Sequence, residues 1–170
     1  MPPSSYPNLT VVEHPLVQHK LSLLRKRSTS SRDFKQLVGE IAMLLAYEAT
    51  RDLPTEMAEI ETPLGRAAGH VVSSRRLILV PILRAGLGML DGASELMPNA
   101  RVGHIGMKRD ETSLQPTRYY TKLPVDEPMP DDGPTRVPRE HDYFILDPML
   151  ATGGSATAAV TTLKTAGAHR

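Results

Sequence analysis

Asp147-Pro148-Met149-Leu150-Ala151-Thr152-Gly153-Gly154-Ser155 follows the apolar run Tyr143-Phe144-Ile145-Leu146 and precedes a stretch with helical spacing. A strand ending on a carboxylate, a turn with two glycines and then a helix form a natural anion-binding unit. The first N–H groups of a helix have no acceptor within it, and the helix dipole favours negative charge at that end. Gly153 and Gly154 let the backbone approach a ligand without a Cβ in the way. Thr152 and Ser155 add hydroxyl donors, and Asp147 at the strand's carboxyl end suits the hydroxyls of a bound sugar phosphate. The alternative is a strand–turn–helix whose glycines only tighten the turn. The segment lacks the Gly-Lys-Ser/Thr ending of a Walker A loop and the G-x-G-x-x-G spacing of dinucleotide folds. Gly86-Leu87-Gly88 supplies only G-x-G.

Outward from this turn, residues 154–166 read as a helix with Gly167 as terminator, its apolar face formed by Ala156, Ala159, Val160 and Leu163. Upstream, Leu77-Ile78-Leu79-Val80-Pro81-Ile82 is a continuous apolar run, as expected for a strand buried on both faces of a parallel sheet. It leads through Arg84-Ala85-Gly86-Leu87-Gly88 into a helix ending near Met97-Pro98. Residues 101–107 form the next strand candidate, and the polar run 108–112 follows as a turn. Residues 118–123 alternate as one arm of a second hairpin.

Nearer the start, residues 10–17 read as an extended piece leading into a short helix. From Asp33 to about Ala49, the residues Phe34, Leu37, Val38, Ile41, Leu44 and Leu45 recur at helical spacing, with Ser31 or Asp33 as cap. Residues 57–61 and 71–72 bracket a Pro-Gly turn at 63–65, predicting a hairpin or flap. Residues 125–140 are dense in Pro, Asp and Gly and read as an inserted surface loop. Strands alternating with helices predict an α/β fold, a mostly parallel sheet flanked by helices, as one domain over residues 1–170. Arg170 stands just past a helix, where such an architecture continues into another buried strand, so the C-terminal part of the fold is expected to be missing.

Twenty basic residues against nineteen acidic leave a formal charge of +1, which selects neither nucleic acid nor a membrane surface. Cysteine is absent, removing disulfides, thiolate nucleophiles and thiolate metal sites together. The first eight residues carry three prolines and lack the basic start and apolar run of a signal peptide. No stretch approaches the roughly 20 apolar residues of a membrane span. With 4% aromatics and no Trp, a stacking platform for single strands is disfavoured. A soluble, cytoplasmic protein is the expectation.

Anion specificity must then come from a few placed cations. A guanidinium in a turn after a buried strand is costly unless it meets an anion, so Arg84 reads as a pyrophosphate clamp assisted by N–H groups around Ala85 and Gly86. The plainer reading pairs Arg84 with Asp91 or Glu95 on the following helix. Lys108-Arg109-Asp110-Glu111-Thr112 reads either as a lid carrying Arg109 over a phosphate or as solvated charge. The six histidines show no metal-ligand spacing, and no residue is predicted to bind a metal directly.

Taken together, these segments resemble the uracil phosphoribosyltransferase family of type I phosphoribosyltransferases. Asp147 to Ser155 is similar to that family's phosphoribosyl-pyrophosphate (PRPP) motif, Pro148 standing where other phosphoribosyltransferases carry a second acid. Agreement extends to His14-Pro15-Leu16-Val17-Gln18-His19-Lys20-Leu21, Tyr47-Glu48-Ala49-Thr50, residues 81–89 and the flexible-loop segment 107–112. The resemblance implies transfer of ribose 5-phosphate from PRPP to uracil, giving UMP and diphosphate in pyrimidine salvage. It implies that residues 151–155 hold the 5′-phosphate, Asp147 the ribose hydroxyls, and Arg84 and Arg109 the pyrophosphate, with Mg²⁺ arriving on PRPP. Regulation by GTP and a homodimer or homotetramer are further implications. The family's uracil-binding segment would begin beyond Arg170. The alternatives are a PRPP-binding regulatory module, an inactive homologue without a base site, or an interaction element related to bifunctional uridine kinases. The missing Walker A loop gives kinase activity no support.

Overall fold

The computed structural model describes residue 6 and residues 8–72, 77–109, 116–124 and 141–168. The proposed surface loop at 125–140 lies outside these residues.

Two helices open the fold, each started by a side chain. In α1 (Pro15–Leu24), Pro15 occupies the first turn and His14 Nδ1 accepts from the Leu16 N–H at 3.1 Å. In α2 (Ser31–Ala49) the cap is Ser30, one residue before the expected start, its Oγ accepting from the Asp33 N–H at 3.1 Å. Of the expected apolar stripe Leu37, Val38, Ile41, Leu44 and Leu45 are partly buried, while Phe34 is corrected at 47% exposed and the fully buried positions are Ala42 and Ala46. The reason lies in α3 (Leu87–Leu96), which meets α2 backbone to backbone. A Cβ on Gly92 would stand 2.6 Å from the Gly39 carbonyl carbon, so small residues mark this seam.

Between α2 and the main sheet, β1 (Thr55–Thr62) and β2 (Gly65–Val72) form the expected hairpin, paired from Thr55↔Val72 to Thr62↔Gly65. Gly65 takes φ 128 at the turn, and Thr62 Oγ1 donates to its carbonyl at 2.7 Å. The hairpin pairs with no other described strand.

The main sheet centres on β3 (Leu77–Leu83). On one side it pairs in parallel with β4 (Arg101–Val102) and β5 (His104–Arg109), and β6 (Pro116–Lys122) runs antiparallel to β5. On the other side it pairs in parallel with β7 (Asp142–Leu146). The single strand expected over 101–107 is divided at Gly103, whose N–H still reaches Leu79 O at 2.9 Å. A Cβ there would press on Leu123 and Pro124 at 3.0 Å. The strand also runs further than expected. Lys108 and Arg109 pair with Thr117 and Pro116, because partnership with β6 holds polar residues extended against their turn-like composition.

Alternation along β3 splits the core into two layers. Leu77 and Leu79 meet Ala46, Ala93, Met97 and Leu146 on the α2/α3 face. Ile78, Val80, Ile82 and Ile105 meet Ala159, Leu163 and Ala168 on the face covered by α4 (Gly154–Thr165). That helix ends as predicted: Gly167 sits at φ 103, Gly167 N–H donates to Lys164 O at 3.0 Å and Ala168 N–H to Leu163 O at 3.0 Å. Its buried face is Ala159, Thr162 and Leu163, and Val160, expected inside, is 45% exposed. Thr162 is tolerated inside because its hydroxyl donates to Ala158 O at 2.8 Å. Among the described residues no helix is long and apolar enough to cross a membrane.

Candidate active site

The carboxyl ends of β3, β5 and β7 lie along one edge of the sheet, since the three strands are parallel. Open α/β sheets bind ligands at this edge where neighbouring strands send their helices to opposite faces. Here β3 and β7 are paired through Pro81↔Leu146, while α3 and α4 pack on opposite faces. The Arg84 turn and the Asp147 turn therefore leave neighbouring strands at the same edge of the sheet.

Arg84 is exposed, so the expected cost of burying its guanidinium does not arise. The plainer reading fails as well: Asp91 pairs with Lys35 at 3.4 Å, and among the described residues no carboxylate lies within ion-pair distance of Arg84. The glycines behind it are crowded by the protein itself. A Cβ on Gly86 would collide with the Leu146 carbonyl oxygen and stand 2.7 Å from Ile82 N; a Cβ on Gly88 would stand 3.3 Å from Val38 Cγ1. The Gly86 N–H, expected to help hold an anion, donates to Ile82 O at 2.8 Å.

In the second turn Asp147 is partly buried, and its Oδ1 accepts from the Met149 N–H at 3.4 Å. Pro148, Met149, Leu150, Ala151 and Thr152 are exposed, the two large apolar side chains at 73% and 69%. Gly153 stands at the α4 N-cap with φ 78, a left-handed conformation that glycine adopts without strain. No side chain caps this helix and no acid occupies its first turn. A Cβ on Gly154 would meet only Thr152 Oγ1 at 3.6 Å and Pro116 at 3.8 Å, which is ordinary contact. Protein packing therefore does not require glycine at 154. Ser155 follows, partly buried, in the first turn of α4.

The contact with Pro116 ties this turn to β5, because Pro116 pairs with Arg109, the last residue of that strand. Residues 110–112 of the expected lid lie outside the described residues. Next to Arg84, an open cleft of about 860 Å³ is lined by Leu83, Arg84, Ala85, Met107, Lys108 and Tyr119. Sequence reasoning singled out neither Lys108 nor Tyr119 individually; their place depends on the β5–β6 pairing. Gly106 pairs with Tyr120 and Met107 with Arg118, which leaves Tyr119 as the extra residue of a β-bulge. Its ring lies over Gly106, where a Cβ would stand 2.7 Å away.

Among the described residues no three His, Cys, Asp or Glu side chains gather to hold a metal ion. The Lys20 hydrogen bond, then that of Gln36, holds the Glu40 carboxyl below its usual range, and the Arg51 hydrogen bond does the same for Glu48.

The family model for uracil phosphoribosyltransferase matches residues 11–170. Over 164 residues the chain is 52% identical to a uracil phosphoribosyltransferase of Caldanaerobacter subterraneus subsp. tengcongensis, covering 96% of this chain and 73% of that one. It is 51% identical over 162 residues to a uracil phosphoribosyltransferase of Bacillus thuringiensis, covering 95% and 72%. Among solved structures, the AQ2163 protein from Aquifex aeolicus superposes with a TM-score of 0.82 at 34% identity, over 94% of this chain and 71% of that one.

Proposed function

The chain belongs to the uracil phosphoribosyltransferase family, and from that premise we propose that it converts uracil and PRPP to UMP and diphosphate. What supports the site assignment is that two differently built turns leave neighbouring strands at the same switch-point edge of the sheet: one carries a cation with no described carboxylate partner, the other an uncapped helix N-terminus.

In this reading the N–H groups at the start of α4, with Thr152 and Ser155, hold the 5′-phosphate of PRPP. Gly154 leaves room for that phosphate, and Asp147 accepts hydrogen bonds from the ribose hydroxyls. Arg84 and Arg109 bind the pyrophosphate. The bond between C1′ and uracil N1 forms as the bond from C1′ to pyrophosphate breaks, through an oxocarbenium-like transition state. No protein nucleophile is needed, so the residues act by positioning both reactants and by stabilising charge on the leaving group. The turn offers one carboxylate, Asp147, with Pro148 beside it. That donor set fits Mg²⁺ held chiefly by substrate oxygens and water. Mg²⁺ bound with PRPP would supply positive charge at the pyrophosphate, beside the charge that Arg84 and Arg109 provide. The family reading also carries a homodimer or homotetramer, regulation by GTP and a cytoplasmic location.

Incubating the chain with isotopically labelled uracil, PRPP and Mg²⁺ and separating the products tests the proposal. Labelled UMP is the expected outcome. PRPP binding without UMP formation would replace the transferase with a PRPP-binding regulatory module.

A further inference from the structure

We infer that Lys108 is a ligand of the pyrophosphate of PRPP, brought beside Arg84 by the end of β5 and the bulge at Tyr119. The inference rests on the transferase reading and adds a residue to it.

Lys108 and Arg84 line the same cleft, at the ends of strands that pair in parallel through Leu83↔Gly106. Four ion pairs of described residues, Lys20–Glu40, Lys35–Asp91, Arg51–Glu48 and Arg66–Glu59, involve neither cation. Neither cleft cation has a described carboxylate partner. Two like charges facing one cleft repel, and a multiply charged anion between them turns that repulsion into charge-assisted hydrogen bonds.

Local structure directs the ammonium to this place. Met107 packs against the core beneath α4, so Lys108, the next residue along the strand, leaves the sheet on the opposite side. The bulge sets the half-exposed Tyr119 ring against Gly106, making an apolar wall beside the lysine stem. Bulges commonly re-aim side chains next to active sites. A lysine ammonium is a rotatable point charge that follows a flexible pyrophosphate without the fixed fork of a guanidinium.

The lining of the cleft makes the inference specific. In the transferase reading the α4 N-terminus takes the 5′-phosphate, whereas Lys108 lines a cleft with Arg84 to which no described residue of the 147–155 turn contributes. Lys108 should therefore sense PRPP and diphosphate, and be indifferent to UMP, which carries the 5′-phosphate alone.

The test is titration calorimetry of the full chain and its Lys108→Met and Lys108→Arg variants with PRPP, inorganic pyrophosphate and UMP, in Mg²⁺. Loss of one charge-assisted contact at an open site should weaken PRPP and pyrophosphate binding of Lys108→Met by about tenfold. UMP binding should stay within about twofold, and Lys108→Arg should recover most of the loss. Unchanged PRPP and pyrophosphate affinity in Lys108→Met would overturn the inference, as would equal weakening of all three ligands. Failure of the unsubstituted chain to bind either PRPP or pyrophosphate would instead remove the transferase reading, and this inference with it.

Discussion

The turn at residues 84–88 and the turn at residues 147–155 leave adjacent strands at the same edge of the sheet, and both carry a pair of nearby glycines. Their glycines answer to different neighbours. Gly86 is required by protein backbone, because β3 and β7 press directly upon it, and Gly88 is crowded by Val38. Gly153 is required by its own φ of 78, and Gly154 by no described protein atom. Similar local composition thus yields a packed turn that projects one cation and an open turn that presents backbone donors. A glycine's meaning lies in what its absent Cβ would touch.

Substitutions that separate stability from binding test this contrast most directly. Gly86→Ala should have the largest effect, since the new methyl meets backbone that cannot give way. Overpacking of this kind costs about 3 kcal/mol, and in a chain of this size lowers Tm by roughly 10 °C. A thermal melt within a degree or two of the parent would break the contrast at its packed end. Arg84→Ala should do the reverse. Its exposed side chain has no described carboxylate partner, so Tm should hold, while PRPP affinity falls on the order of 30-fold through loss of charge-assisted bonds. Equal PRPP affinity by calorimetry would remove Arg84 from the site.

Gly154→Ala sharpens the open end. The melt should be unchanged, and PRPP binding should weaken by about tenfold as a methyl enters the space assigned to phosphate; unchanged binding would mean that the phosphate does not approach there. Ser30→Ala extends the comparison to a helix start capped by its own side chain. It should cost about 1 kcal/mol and leave PRPP affinity as it was. Smallest is the acid response of Glu40, whose folded pKa is lowered by Lys20 and Gln36. Its contribution is complete above its unfolded pKa of about 4.3, and is lost as pH falls through the lower folded value. Glu40→Gln should flatten that acid limb of the stability curve; an unaltered limb would show that the pairing has no effect on stability.

The βα turn at Asp147, the buried β3 run and the Gly167 stop could all be read from sequence, because each depends on neighbours a few residues away. Val160 and Phe34 misled because helical spacing identifies an apolar stripe but not what packs against it. Thr162 and Ala42 occupy the buried positions instead, one through a backbone hydrogen bond and the other through the Gly39–Gly92 seam. Lys108 and Arg109 read as a charged turn until β6 is seen to pair with them.

By itself, the sequence determined the α/β alternation, the strand–turn–helix at 147–155 and the family, since periodicity and short motifs are local properties of the chain. Only the tertiary structure decided that Gly86 belongs to packing while a Cβ on Gly154 would make only ordinary contacts with described residues, and that Lys108 joins Arg84 in one cleft. Those outcomes depend on which backbones meet across the sheet, and contacts between residues distant in sequence leave no periodic trace within it.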